Sequence, residues 1–118
     1  MNGGLAMNDQ YQDMLAVLKA LSNETRLNIL CWLRESEKWE YELPDVLKEE
    51  FPGSACVGSI QAKSGLAQSV ISSYLASMQK SGLLESRRYG QYTYYRLNET
   101  RIDAFLEQFA GKLKSKSN

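Results

Sequence analysis

The sequence predicts a mainly α domain with one small β-hairpin, and three observations carry that reading. Apolar residues recur at spacings of three and four through residues 9–21, 24–37, 65–84 and 98–113, the period of amphipathic helices. After Gly82 the period shortens to two over residues 83–88 and 92–97, on either side of Tyr89-Gly90-Gln91, where glycine can take a positive φ. The length of 118 residues, 43% of them hydrophobic, suits one domain and leaves little room for a deep core beside a catalytic cleft. The expected limits are a flexible leader over residues 1–8 with Met7 a candidate start, one domain over 9–113, and a flexible tail over 114–118.

Taken in order, Tyr11, Met14, Leu15, Leu18 and Leu21 form one stripe, the first helix. Asn23 is placed to cap a second helix beginning at Glu24, whose carboxylate suits the positive helix end. In that helix Leu27, Leu30 and Cys31 stand at i, i+3 and i+4 and are expected on the buried face, extended by Leu33 or the stem of Arg34. Residues 38–55 carry the weakest pattern. Pro44 opens a short helix to Phe51, and Pro52-Gly53 stops it. Trp32, Trp39, Tyr41 and Phe51 gather around this stretch, either as core or as the wall of a small-molecule pocket.

A further helix runs from Cys56 or Val57 to Lys63 with Val57 and Ile60 inward, and Gly65 supplies a tight turn into the next. That next helix, within GLAQSVISSYLASMQKSGLL, sets Ile71, Leu75 and Met78 inward at i, i+4 and i+7. Gln68, Ser69, Ser72, Ser73 and Gln79 then face outward. Two helices joined by a tight turn make a helix-turn-helix, and the hairpin that follows makes a wing tipped by Arg87, Arg88, Tyr89, Gln91 and Tyr92. Asn98 caps a last helix with Ile102, Phe105, Leu106, Phe109 and Leu113 on one side.

The outward face of the helix-turn-helix is small, polar and free of carboxylates, which is what a major groove demands, although a solvated helix face has the same composition. Charge distribution favours the groove. Net charge is zero, yet residues 34–51 hold three basic against seven acidic residues. Residues 59–96 hold Lys63, Lys80, Arg87, Arg88 and Arg96 against Glu85 alone, the local basic patch that phosphates require. The expected partner is double-stranded operator DNA.

Amphipathic helices at both ends of so small a domain point to a homodimer. Tyr11, Met14, Leu15 and Leu18 would pair with Ile102, Phe105, Leu106 and Phe109 across a two-fold axis, setting two reading helices about 34 Å apart. The alternative is that both helices cover the protomer's own core. Without histidine, histidine catalysis and histidine metal sites are excluded. No nucleophile with its base and no phosphate loop can be assembled, so neither an enzyme nor a cofactor is expected. Nothing spans a membrane or resembles a signal peptide, and the chain is expected in the cytoplasm. A module for protein contacts, without operator binding, is the second reading.

The segments LKALSNETRLNILCWL, CVGSIQAKSGLAQSVISSYLASMQKSGLL and RRYGQYTYYRLNE resemble the arsenic-repressor (ArsR/SmtB) family of winged helix-turn-helix regulators, over about residues 14 to 110. The resemblance implies a homodimeric repressor released by an inducer or a thiol reaction. By position it turns Gln68, Ser69, Ser72, Ser73 and Tyr74 to DNA, with Arg87, Arg88 and Gln91 in the wing. Ala67 stands where the family often has a serine cap. Metal-sensing relatives carry two cysteines one residue apart, where this chain reads Cys56-Val57-Gly58, so metal sensing is disfavoured. Asp103 and Glu107 read as solvated charge. Cys31 matches a cysteine of thiol-sensing relatives whose usual mate in the last helix is absent. It is expected to be a small buried hydrophobe, with redox pairing to Cys56 the alternative. The inducer, small molecule or oxidant, stays open.

Overall fold

The computed structural model describes residues 3–40 and 42–115, with side chains from residue 9 onward. Among them are six α-helices: α1 (Gly3–Leu21), α2 (Glu24–Arg34), α3 (Asp45–Glu50), α4 (Val57–Ser64), α5 (Gln68–Lys80) and α6 (Glu99–Leu113). Three strands join them: β1 (Ala55–Cys56), β2 (Leu84–Tyr89) and β3 (Tyr92–Leu97). Tyr41 of the expected aromatic group, Met1 and Asn2 of the expected leader, and residues 116–118 of the expected tail lie outside the described residues.

Helix α1 starts at Gly3 rather than near Asp9, so the described part of the expected leader is helical. Leu5, Ala6 and Met7 are helix formers, and no proline interrupts them before Asp9. Asn23 caps α2 as expected, its Oδ1 accepting the Arg26 backbone N–H at 3.0 Å.

The buried face of α2 differs from expectation. Leu33 goes to the core and Leu30 packs partly against it, as expected, but Ile29 is buried with them and Leu27 is 46% exposed. Cys31, expected as a buried hydrophobe, is exposed. The reason lies beneath the helix: Arg26, Ile29, Leu30 and Leu33 share one side, and the Arg26 Nε donates to the Ala20 carbonyl at 2.6 Å, turning that side inward. Leu27 and Cys31 are consequently carried outward.

The main core joins Val17 and Ala20 of α1, Ile29 and Leu33 of α2, Ile60 of α4, Ile71, Leu75 and Met78 of α5, and Leu83, Leu84, Leu97 and Ile102. The sheet is three-stranded, antiparallel, in the order β1-β3-β2. Sequence reading found the hairpin but not β1, which at two residues is too short to show a period.

Directly paired residues share a face of a sheet. One face therefore carries Leu84 with Leu97, Ser86 with Tyr95, Arg88 with Thr93, and Ala55 opposite Tyr95. This is the inner face, toward the main core. The outer face carries Glu85 with Arg96, Arg87 with Tyr94, and Cys56 opposite Tyr94. Helix α3 covers it, burying Leu47, Phe51 and Tyr94 in a second, smaller cluster beside Leu43 and Cys56. The irregular stretch before residue 55 thus backs the wing.

Leaving α5, the chain turns at Gly82 with φ 92°. A Cβ there would stand 2.6 Å from the Arg101 guanidinium carbon, at the end of a side chain that can move aside. The backbone cannot move aside, so Gly82→Ala is expected to cost about 1–2 kcal/mol through the left-handed conformation. A lower thermal unfolding midpoint, with helix content unchanged before melting, is the check.

Candidate nucleic-acid interface

On α5 the inward residues Ile71, Leu75 and Met78 are each fully buried, and Gln68, Ser69, Ser72, Ser73 and Gln79 are exposed. The helix carries no carboxylate along its length. Ala67 precedes it in extended conformation and has no side-chain oxygen to cap it, and the Val70 N–H turns back to the Ala67 carbonyl at 3.1 Å.

The turn before α5 is held by its own hydrogen bonds. Gly65, at φ 71°, donates its backbone N–H to Gln61 O at 3.0 Å, and the Leu66 N–H reaches Ser64 Oγ at 3.0 Å. The wing is tied to α5 as well: Ser86 Oγ donates to Gln79 Oε1 at 3.1 Å. Helix α5 and the wing are therefore joined directly.

The basic residues separate into free and engaged. Arg88 is exposed, on the inner face with Ser86, and has no ion pair or hydrogen bond with any described residue. Lys80 is exposed in the last turn of α5. Arg87 is different. On the outer face, its Nη1 donates to Glu50 Oε1 at 2.9 Å and its guanidinium lies 5.3 Å from the Phe51 ring centre. Arg96 lies 4.1 Å from the same ring and pairs with Glu85 at 2.7 Å. Lys63 keeps its ammonium 5.0 Å from the Trp39 ring centre. Gln91 is exposed near the hairpin tip and donates to the Tyr92 hydroxyl at 3.3 Å.

Tyr74 does not stand free on the reading face. It is half-buried against the main core, with the Arg26 guanidinium 5.1 Å above its ring. Of the residues assigned to DNA from sequence, α5's polar set, Lys80, Arg88 and Gln91 are open to solvent without a charged partner. Tyr74, Lys63 and Arg87 are engaged within the protomer. The alternation of a strand could have separated Arg88 from Arg87, since neighbours point to opposite faces; their shared charge concealed it.

The expected dimer residues divide similarly. Met14 and Ile102 are buried within the protomer, while Leu15, Leu18, Phe105 and Phe109 are half-buried. Phe105 and Phe109 stack with ring centres 5.3 Å apart. Tyr11 on α1 and Leu106 and Leu113 on α6 are 49%, 55% and 70% exposed. Both cysteines are free thiols, and Cys31 is the more exposed. Cys31 is accordingly expected to react with a thiol reagent such as Ellman's before Cys56 does, and Cys31→Ser to abolish the faster phase.

No family model matches the chain. The chain is 39% identical over 88 residues to the uncharacterized HTH-type transcriptional regulator YbzH of Bacillus subtilis, covering 75% of this chain and 86% of that protein. It is 31% identical over 93 residues to the transcriptional activator HlyU of Vibrio cholerae, covering 79% and 70%. Among solved structures, HlyU from Vibrio cholerae matches with a TM-score of 0.60 at 27% identity, over 87% of this chain and 94% of that one. Mb0332 from Mycobacterium bovis, a homodimeric winged helix-turn-helix DNA-binding domain and a possible ArsR-family transcriptional regulator, matches with a TM-score of 0.63 at 26% identity, over 100% and 94%.

Proposed function

The chain belongs to the ArsR/SmtB family of winged helix-turn-helix transcriptional regulators, and from that membership we propose a homodimeric repressor that binds an operator and is released by a small-molecule or redox inducer. One observation carries the reading furthest. The exposed, carboxylate-free face of α5 continues into the inner face of the wing, where Arg88 stands unpaired. In this arrangement Gln68, Ser69, Ser72 and Ser73 meet base edges and nearby phosphates in the major groove. Arg88 and Gln91 meet the backbone beside it, and Lys80 adds charge.

Support for the dimer is the exposure of large apolar side chains on both end helices, Tyr11 on α1 and Leu106 and Leu113 on α6. A second copy covers them and doubles the reading surface, matching an operator with two-fold character. The exposed Leu66 and Val70 at the start of α5 favour the second reading, a protein-binding module. Thymine methyl groups satisfy the same two side chains.

The test is a fluorescence-anisotropy titration of the duplex upstream of the protein's own gene against a scrambled duplex of equal length. The repressor reading predicts tighter binding to the upstream duplex and weakening of both as salt rises. Equal, negligible binding to both leaves the protein-contact module as the reading.

A further inference from the structure

A cavity of about 550 Å³ opens between the loop before α3, the first helix of the helix-turn-helix and the wing strand β3. Sites for small organic molecules span about 300–1,000 Å³. Three of its walls are aromatic, Trp39, Tyr92 and Tyr94, and Glu40 and Glu42 stand beside them with the Cys56 thiol. Among the described residues that line it, none is basic.

The carboxylate of Glu40 is fixed in place. Its Oε2 accepts the Cys56 backbone N–H at 2.8 Å and its Oε1 accepts the Ser59 hydroxyl at 3.1 Å, at the first turn of α4. Glu42 is exposed and forms no ion pair with a described residue. Burial first, and then the neighbouring Cys56 and Glu40, push the Tyr94 phenol above its ordinary pKa. Trp39 already receives an ammonium, that of Lys63, 5.0 Å from its ring centre, so the indole face suits a cation. Aromatic faces with carboxylates are the chemistry that holds ammonium groups in preference to neutral molecules of the same shape.

We propose that this cavity binds an organic cation, an alkylammonium or quaternary ammonium group lying against Trp39, Tyr92 and Tyr94 with its charge balanced by Glu40 and Glu42. A ligand there touches both α4 and the wing, the two parts that flank the reading helix.

Choline and its neutral isostere 3,3-dimethylbutan-1-ol are the probes, titrated into the full-length protein without DNA. Trp39 is one of two tryptophans, so intrinsic fluorescence follows occupancy, and amide NMR shifts at Cys56 and Gly58 locate it. The expected result is saturable choline binding, at least roughly tenfold tighter than the isostere. Tyr92→Leu and Glu42→Gln, both at exposed side chains, should each weaken choline at least roughly fivefold with the unfolding midpoint unchanged. Lys63→Met should tighten it, because a competing ammonium is removed from Trp39. Equal affinity for the two probes, a response that never saturates, or choline affinity unchanged in both Tyr92→Leu and Glu42→Gln overturns the proposal. Because DNA is absent from the titration, such a failure leaves the repressor reading standing.

Discussion

Replacing Ser72 and Ser73 together by glutamate is expected to lower affinity for the upstream duplex by at least roughly a hundredfold while the fold stays intact. Both serines are exposed on α5, one turn beyond its uncapped start and opposite the buried Ile71, Leu75 and Met78. Glutamate is a better helix former than serine, so α5 should not weaken. What changes is charge: two carboxylates would meet phosphates and base acceptors in a groove, where like charges in contact cost several kcal/mol. The paired control is Ser72→Gln with Ser73→Gln, which adds similar bulk without charge. If the glutamate variant binds within threefold of wild type while its circular dichroism is unchanged, α5 is not the reading helix.

The other large effect is on assembly. Leu106→Glu combined with Leu113→Glu should convert the proposed dimer to monomer, because both side chains are more than half exposed in the protomer and would place four carboxylates in a two-fold interface. Met14 and Ile102 are the wrong residues for that test: each is buried inside one protomer, and changing either damages the fold itself. Losing the second half-site removes the avidity of a linked pair, typically about 10²–10⁴ in affinity. Sedimentation velocity measures the mass and anisotropy the binding. A double variant that remains dimeric would move the interface off the α1 and α6 surface.

Helix α5 and the wing hairpin are legible in the sequence because each obeys one clear period. Ile71, Leu75 and Met78 mark a single inward line, glycines close the turns at positions 65 and 82, and alternation begins where the helix stops. The buried face of α2 is ambiguous because apolar residues surround it: Leu27 and Cys31 fit a helical stripe with Leu30 as well as Ile29 and Leu33 do. Only a tertiary contact, Arg26 reaching back to the end of α1, selects between the two. The job of residues 38–55 was illegible for a related reason. Nothing local reveals that Phe51 lies under Arg87 and Arg96, or that Glu40 holds the start of α4 from 16 residues upstream.

Those long-range contacts also divide the wing's charge. An exposed ion pair such as Glu50 with Arg87 contributes only about 0–1 kcal/mol to stability, yet with Phe51 beneath it the pair sets the direction of the Arg87 side chain. Arg88, on the opposite face beside Ser86, keeps its charge available.

The most direct measurement is the salt dependence of binding to the upstream duplex for wild type, Arg88→Ala and Arg87→Ala. A side chain on phosphate contributes about one unit to the slope of log affinity against log salt and weakens every sequence alike when removed. The inner-face surface predicts that Arg88→Ala flattens the slope by about one unit and weakens specific and scrambled duplexes together, with Arg87→Ala leaving the slope as it was. A slope unchanged in Arg88→Ala and flattened in Arg87→Ala would contradict it, placing the duplex on the outer face of the wing, against α3.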